Sequence, residues 1–347
     1  MASADLIPVN IVTGFLGSGK TTLLQRLLAS PELANTAVLV NELGEIGLDH
    51  LLLRHVDETT VVLPSGCVCC AIRDDLTAAI RDLYSQREQG TIPRFDRLAI
   101  ETTGLADPAP IIFTLMAEPV LRHHFRVGHV VTTVDAVNGA MHLAQHPESV
   151  KQVAVADRIV LTKTDLAGRA PAEALRTACR RYNPVAPIFE PAVDPIGPDE
   201  LFTDDLADPS GPGRDARRWL GAAAAATAPE TAAGHVSPHD RDIYSFSVTV
   251  DHALDWTAFG IWLTMLLHAH GEDVLRVKGM LQVVGVPAPV VIHGVQHLVH
   301  PPVHLDAWPT ADRGTRLVFI VRKLSRQVIE RSLAAFNRLA AVGEGAA

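Results

Sequence analysis

Residues 14–21 read Gly-Phe-Leu-Gly-Ser-Gly-Lys-Thr and fit the pattern G-x-x-x-x-G-K-[ST]. The apolar stretch Pro8–Thr13 precedes them and is typical of a buried strand, and a helical pattern follows from Lys20. Glycines at these positions let backbone N–H groups converge on phosphate groups, and the N-terminus of the following helix adds a partial positive charge. The stretch therefore predicts a phosphate-binding loop in an α/β fold.

The side chains of this loop predict contacts to a nucleotide and its metal ion. Lys20 would reach the β- and γ-phosphates, and the hydroxyl of Thr21 would bind Mg²⁺. The remaining nucleotide contacts predicted from this loop come from Gly14, Gly17, Ser18, Gly19 and Thr22.

A second motif predicts which base is bound. Residues 158–165 form an apolar strand that ends in Thr162-Lys163-Thr164-Asp165. Guanine presents an N1–H and an exocyclic amino group that one carboxylate accepts together, and Asp165 is placed for this. The stem of Lys163 would pack on the base plane, and Thr162 stands where the common guanine motif has Asn. The pattern predicts GTP as the nucleotide.

A third motif lies between the first two. The strand that ends at Glu101 delivers a carboxylate that would hold Mg²⁺ or its water; Glu101 could instead position the attacking water. Gly104 would bring its backbone N–H to the γ-phosphate. Here E-x-x-G replaces the familiar D-x-x-G. The predicted catalytic residues are Lys20, Thr21, Glu101 and Gly104.

Three of the four cysteines, Cys67, Cys69 and Cys70, lie within four residues of each other. Neighbours this close rarely form a structural disulfide, and a cytosolic chain would keep them reduced. Thiolates suit Zn²⁺, and three of them leave a fourth ligand open: a Glu of the 41–49 loop, a client residue or water. A redox pair or plain buried thiols are the alternatives. Cys179 is predicted to be a half-buried helix residue.

The rest of the chain predicts two domains joined by a linker rich in Pro, Gly and Ala. The predicted P-loop domain covers residues 1–207, the linker 208–240, and a smaller α+β domain 241–347 with the order β-α-β-β-β-α. The first domain is expected to hold a mostly parallel sheet flanked by helices. Its strands are predicted at Pro8–Thr13, Ala37–Asn41, Thr60–Leu63, Arg97–Glu101, His129–Val134 and Arg158–Thr162, with helices from Lys20, Asp74, Pro108, Glu148 and Pro171.

Charge and hydropathy exclude some classes of partner. The formal net charge of −9 argues against a nucleic-acid-binding surface. No apolar run reaches the roughly 18 residues that span a membrane, and the N-terminus has no basic region. We therefore expect a cytoplasmic protein without membrane or nucleic-acid partners, whose self-association is left open.

At this point the chain resembles the CobW-like GTPases of the SIMIBI class, including their YjiA-like bacterial members. The residues that carry the resemblance are GFLGSGKTTLL (14–24), NELGEIGLD (41–49), GCVCC (66–70), ETTGLADPAPII (101–112) and LTKTD (161–165). The stretches LRVKGML (275–281), HGVQ (293–296) and LVFIV (317–321) resemble the C-terminal domain of that family.

The resemblance implies GTP binding, slow GTP hydrolysis and binding of zinc, or of a related metal such as cobalt, by the cysteines. It implies delivery of this metal to a client metalloprotein, with Glu42 and Glu45 in a switch loop as further metal ligands. Val40 stands where many members carry a Glu, so a ligand from that position is absent. A regulatory GTP switch with structural zinc is the alternative function, and Asp165 argues against an ATP-dependent kinase or ligase.

Four of the sixteen histidines form a second candidate cluster: His293, His297, His300 and His304. On one continuous strand, His293 and His297 would share a face and His300 would have the opposite parity. Exposed or hydrogen-bonded histidines of an edge strand are favoured over a metal site.

Overall fold

The order of the strands places the phosphate-binding loop near the middle of a parallel sheet. The computed structural model describes residues 6–41, 60–63, 71–193, 196–202, 243–309 and 313–344. The chain divides into two compact units, Met1–Ala178 with Ala186–Asp204 and Cys179–Val185 with Asp205–Ala347. The predicted boundaries at 207 and 241 and the linker at 208–240 lie outside the described residues and stay predictions.

Seven parallel strands form the sheet of the first unit, in the order β3-β2-β4-β1-β5-β6-β7. Their apolar residues are buried on both faces, as is typical of a parallel sheet covered by helices. The predicted α/β fold is confirmed. The strands are β1 Ile7–Gly14, β2 Thr36–Asn41, β3 Thr60–Leu63, β4 Arg97–Glu101, β5 Phe125–Asp135, β6 Arg158–Thr162 and β7 Ile188–Phe189.

The helices of this part of the chain connect successive parallel strands. Each connection returns the chain to the same end of the sheet, so the loops that follow β1, β4, β5 and β6 share one edge. The helices are α1 Lys20–Leu28, α2 Ala71–Gln89, α3 Ala109–Ala117, α4 Pro119–His124, α5 Gly139–Gln145, α6 Pro147–Val155, α7 Thr164–Ala167, α8 Arg169–Tyr182 and α9 Pro198–Phe202.

Strand β5 is longer than the sequence predicts, because it begins at Phe125 and not at His129. The pairing register of β1 and β5 shifts between Val9 and Ile11, and the side chain of Asn10 fills the irregularity. Its Oδ1 accepts the backbone N–H of His129 at 3.0 Å. This side-chain bond replaces a missing ladder bond, which lets the strand continue through the irregularity.

The second unit contains an antiparallel sheet of six strands, in the order β11-β10-β9-β13-β8 with β12 paired to β10. The two helices described in residues 243–309 and 313–344 supply the side chains that cover the core, including Phe259 and Trp262, which pack with Phe319 of the sheet. The predicted α+β domain is confirmed. Its elements are β8 Ile243–Val250, α10 Trp256–His270, β9 Val274–Leu281, β10 Val290–Val295, β11 Leu298–Val299, β12 Val303–His304, β13 Thr315–Arg322 and α11 Arg326–Glu344.

Both helices of this unit begin at a capping side chain, as their sequences indicate. Asp255 Oδ1 accepts the N–H of Ala258 at 2.6 Å, and Ser325 Oγ accepts that of Val328 at 3.3 Å. Across both units, no helix within the described residues is long and apolar enough to cross a membrane.

The histidine cluster does not follow one continuous strand, so the predicted parity is wrong. The chain reverses after β10, where Gln296 adopts a left-handed conformation with φ of 50°. His297 lies in this turn, and its Nδ1 is 2.9 Å from the carbonyl oxygen of Leu267. The reversal brings His300 opposite His293, whose carbonyl accepts the His300 N–H at 2.8 Å.

Candidate functional site

The loop between β1 and α1 has the backbone conformation that its glycines permit. Gly14 has φ of 143°, and a Cβ at this position would lie 2.4 Å from the carbonyl oxygen of Thr133. Gly17 has φ of 69°, and a Cβ there would meet nothing within 4 Å. Gly14 therefore allows close packing on β5, whereas Gly17 lies on the open side of the loop, where a phosphate group can approach the backbone.

The two polar side chains inside this loop are buried. Lys20 is 9% exposed, and its Nζ donates to the carbonyl oxygens of Gly14 (3.0 Å) and Phe15 (3.2 Å). The hydroxyl oxygens of Ser18 and Thr133 lie 2.7 Å apart. The loop therefore wraps around the ammonium group of Lys20, and this places a full positive charge where phosphate oxygens would bind.

Thr21 and Glu101 meet at the beginning of α1. The Thr21 hydroxyl donates to Glu101 Oε1 at 2.6 Å, and Glu101 is 4% exposed. The chain after Glu101 is fixed to β1, because the N–H of Thr102 donates to the Val12 carbonyl at 2.9 Å. A hydroxyl and a carboxylate are oxygen ligands that suit Mg²⁺, so this pair fits the ion that accompanies a nucleotide. When bound, Mg²⁺ supplies positive charge to the phosphates.

The segment after Glu101 turns tightly against the phosphate-binding loop. The N–H of Ala106 donates to the Thr103 carbonyl at 3.2 Å and closes a turn with Gly104 and Leu105 at its centre. A Cβ on Gly104 would lie 2.6 Å from the backbone nitrogen of Leu16. The absence of a side chain at Gly104 therefore lets this turn, which we call the 103–106 turn, lie directly on the phosphate-binding loop.

The motif after β6 contacts the other side of the same loop. Thr162 Oγ1 donates to the Ser18 carbonyl at 2.7 Å, so Thr162 supports the loop in the place of the usual Asn. Lys163 has φ of 56°, and its Nζ donates to the Gly17 carbonyl at 2.8 Å. Asp165 lies in the first turn of α7, exposed, without a hydrogen bond to any described residue. Its carboxylate is available to a base stacked beside the Lys163 stem.

Asp135, at the end of β5, belongs to this site and was missed in the sequence. It is 2% exposed and accepts hydrogen bonds from Lys163 Nζ (2.8 Å), the Val137 N–H (2.8 Å) and Asn138 Nδ2 (3.2 Å). Burial acts to raise the pKa of Asp135, but these bonds and the charge of Lys163 outweigh it and lower the pKa. Asp135 is therefore a buried carboxylate that fixes Lys163. An acidic residue at the carboxyl end of an apolar strand was the available signal.

Phe15 links the phosphate-binding loop to α5. Its ring centroid lies 4.4 Å from that of His142 and 4.5 Å from that of His146. Burial, together with the nearby His146 and Lys163, lowers the pKa of His142 against the opposing effect of Asp135. His142 is thus favoured in its neutral form, as suits a ring packed on an aromatic side chain.

The structure brings together the predicted nucleotide residues but leaves the predicted metal ligands untested. Gly14, Gly17, Ser18, Gly19, Lys20 and Thr21 form one loop that Glu101, Gly104, Thr162 and Lys163 contact or adjoin, and Thr22 is exposed on α1. Cys67, Cys69, Cys70, Glu42 and Glu45 lie outside the described residues. Within the described ranges, no group of three or more His, Cys, Asp or Glu side chains is placed to hold a metal ion.

Two further residues bear on the metal question. Val40 is 2% exposed and packs in the core with Val12 and Ala99, so this position supplies no ligand. Cys179 is fully buried, whereas the sequence predicted a half-buried residue.

Two family models match the chain over different ranges of residues. Residues 8–190 match the CobW/HypB/UreG nucleotide-binding domain, and residues 243–337 match the cobalamin synthesis protein cobW C-terminal domain. The chain belongs to the CobW/HypB/UreG family. It is a P-loop GTPase of that family, which agrees with the predicted GTP motifs.

Two relatives of this chain align with it over nearly all of its length. The zinc chaperone YjiA of Escherichia coli is 33% identical over 332 residues, covering 96% of this chain and 99% of the relative. The zinc chaperone CobW of Pseudomonas aeruginosa is 31% identical over 380 residues, covering 96% and 92%.

A crystal structure of Zn(II)-bound YjiA GTPase from E. coli is also similar. It aligns with a TM-score of 0.66 and 29% identity, covering 95% of this chain and 99% of that one. A zinc-bound triple variant of the same GTPase gives the same TM-score at 27% identity.

Proposed function

We propose that this GTPase carries zinc on Cys67, Cys69 and Cys70 and passes it to a client metalloprotein in the cytoplasm. The observation that carries the proposal is the position in the sheet of β3, the strand that precedes the cysteines in the sequence. Strand β3 ends at Leu63, and β3, β2, β4 and β1 are parallel neighbours. The carboxyl ends of these strands share one edge, about 14 Å wide at roughly 4.8 Å per strand spacing.

The helix that follows the cysteines offers a mechanical connection to the nucleotide site. Helix α2 begins at Ala71, directly after Cys70. Its Arg81 forms an ion pair with Glu118, and the ring of Tyr84 stacks on His124 at a centroid distance of 4.3 Å.

The partners of α2 lie on the helices that follow the 103–106 turn. Glu118 also caps α4, since it accepts the N–H groups of Val120 (2.7 Å) and Leu121 (3.2 Å). Asp107 Oδ1 accepts the N–H of Ala109 at 3.0 Å, at the start of α3. If loss of the γ-phosphate moves the 103–106 turn, α3 and α4 would move with it and displace α2. A displacement of α2 would in turn change the positions of the cysteines.

The chemistry of the cysteines and the names of the relatives support zinc as the cargo. Thiolates are favoured ligands of Zn²⁺, with cobalt a second candidate. Three protein thiolates leave one coordination position for a switch-loop Glu, water or a client residue. An open position suits transfer, because a fully closed site would hold its metal firmly. The relatives named above are zinc chaperones, and one of them was crystallised with zinc.

The first test is the zinc content of Cys69→Ser. We expect the unaltered chain, purified without oxygen, to retain zinc, and the variant to lose most of it while it still binds GTP. Metal analysis and a nucleotide titration measure the two quantities. Cys179→Ser is the matched control, because Cys179 is a buried thiol in the hydrophobic core far along the chain.

The same pair of variants separates the outcomes. Equal zinc in Cys69→Ser and in the unaltered chain would reject the cysteine site. Equal loss in Cys69→Ser and Cys179→Ser would show that zinc retention reports on folding and not on a ligand. A regulatory switch with structural zinc would contain the same amount of zinc as a carrier. The two functions differ in whether the zinc affinity changes with the bound nucleotide.

A further inference from the structure

The side chain of Gln152, on α6, contacts the 103–106 turn. Gln152 is 1% exposed, and its Nε2 donates to the carbonyl oxygens of Gly104 (3.2 Å) and Ala106 (3.0 Å). These partners lie 48 and 46 residues away in sequence. A buried amide is costly unless it is hydrogen-bonded, so the turn and the side chain hold each other in place.

The orientation of this amide is determined by its partners. Both neighbours are carbonyl oxygens, which only accept, so the NH₂ group must face the turn. Gln152 Oε1 is buried and has no hydrogen-bond partner within the described part of the chain. The backbone of Gln152 is anchored as well, because its carbonyl accepts the hydroxyl of Thr132 on β5 at 2.9 Å. Gln152 therefore reaches the turn from a helix fixed to the central sheet.

The two hydrogen bonds constrain the turn at its centre and at its last residue. One fixes the peptide that follows Gly104, and the other fixes the peptide that follows Ala106. The neighbouring Lys151 adds a weaker contact, with its Nζ 3.5 Å from Asp107 Oδ2. Gly104 also packs against Leu16 of the phosphate-binding loop. The turn is therefore held both by Gln152 and by this loop.

We infer that Gln152 is a positioning residue for GTP hydrolysis, which holds the 103–106 turn so that Gly104 meets the γ-phosphate. The inference rests on the proposed role of Gly104. Gln152 touches neither nucleotide nor water in this role; it acts through the turn. Catalysis depends on groups held in place before the reaction, so a loosened turn lowers the rate more than the affinity.

The test compares Gln152→Met with Gln145→Met. Methionine has a similar length but donates no hydrogen bond, and Gln145 is the exposed last residue of α5, so the control makes the same change at the surface. We expect Gln152→Met to lower kcat about tenfold, the effect of one good hydrogen bond, with KM changed less than about threefold. Gln145→Met should keep the kcat of the unaltered chain. Single-turnover GTP hydrolysis, GTP affinity and Tm are measured for each.

Several outcomes would overturn the inference. These are a normal kcat in folded Gln152→Met, a loss confined to KM, or an equal loss of kcat in Gln145→Met. Should the methionine variant fail to fold, Gln152→Asn keeps the polar amide but is one methylene shorter and cannot reach both carbonyl oxygens, and the same tenfold loss is expected. Gly104→Ala is measured in parallel. If it turns over normally, the role of Gly104 fails; if it is slow while both Gln152 variants are normal, only this inference fails.

Discussion

Replacing Lys20 by alanine is expected to lower GTP affinity and turnover together by about 10²–10³-fold, the range seen when a preorganised donor to a developing charge is removed. The Lys20 ammonium lies inside the phosphate-binding loop, bonded to the carbonyls of Gly14 and Phe15. It is the charged side chain that the loop itself surrounds, and no neighbouring group replaces it there. Nucleotide titration and steady-state GTP hydrolysis measure the two effects.

The matched control for Lys20→Ala is Arg26→Ala. Arg26 lies in the last turn of α1, exposed, so its loss changes the charge of the same helix away from the loop. We expect Arg26→Ala to bind and hydrolyse GTP normally, and both variants to keep the Tm of the unaltered chain within a few degrees. Normal affinity together with normal turnover in Lys20→Ala would show that the loop is not the phosphate site.

Replacing Asp165 by asparagine is expected to weaken GTP binding about 100-fold and to leave ATP binding unchanged. A carboxylate accepts both the N1–H and the amino group of guanine, whereas an amide accepts at its oxygen only and turns a donor toward the other. A charged hydrogen bond contributes about 1.5–3 kcal/mol, and a donor left facing a donor adds to the loss. Competition titrations with GTP and ATP give the two affinities.

Xanthosine triphosphate provides the positive control for Asp165→Asn. Xanthine carries an oxo group where guanine carries its amino group, so the amide of the variant gains a partner. We expect the variant to bind this nucleotide more tightly than the unaltered chain does. A variant that keeps its preference for GTP over ATP would show that Asp165 does not recognise the base.

Elements with strong local patterns were predictable from the sequence. Strands β4 and β6 have the predicted bounds, because apolar runs mark them clearly. Strand β7 has two residues, Ile188–Phe189, too few to show a period. Helix α5, Gly139–Gln145, begins with Gly, which disfavours helix, and is held by packing against Val134 and Leu175.

The phosphate-binding residues were predictable because each lies in a contiguous motif. The position of Asp135 at the end of an apolar strand was a signal, but nothing local indicated its bond to Lys163, 28 residues away. Gln152 was not predictable, since its partner Gly104 is 48 residues away and no local pattern links the two. The predicted parity of His293 and His300 was wrong, because the chain reverses at Gln296, a single residue in the left-handed conformation, and forms a hairpin where one strand was predicted. Long-range side-chain pairs and single-residue turns are set by the tertiary structure, which a local pattern does not encode.

We propose that the zinc affinity of the cysteines depends on the bound nucleotide. This dependence separates a zinc carrier from a regulatory switch with structural zinc. Linkage requires reciprocity: if GTP changes zinc affinity by some factor, zinc changes GTP affinity by the same factor. We propose α2 as the route for this coupling, because α2 follows Cys70 in the sequence and its Arg81 forms an ion pair with Glu118, the cap of α4.

The most direct measurement is zinc affinity, by competition with a chromophoric chelator, in the nucleotide-free, GTP-analogue and GDP states. We expect the affinity in the GTP-analogue and GDP states to differ by about tenfold, within the usual range of allosteric coupling. The ratio of the GTP-analogue affinity to the GDP affinity should change by the same factor when zinc is added. Equal zinc affinity in all three states would contradict the account and leave a GTPase in which zinc has a structural role only.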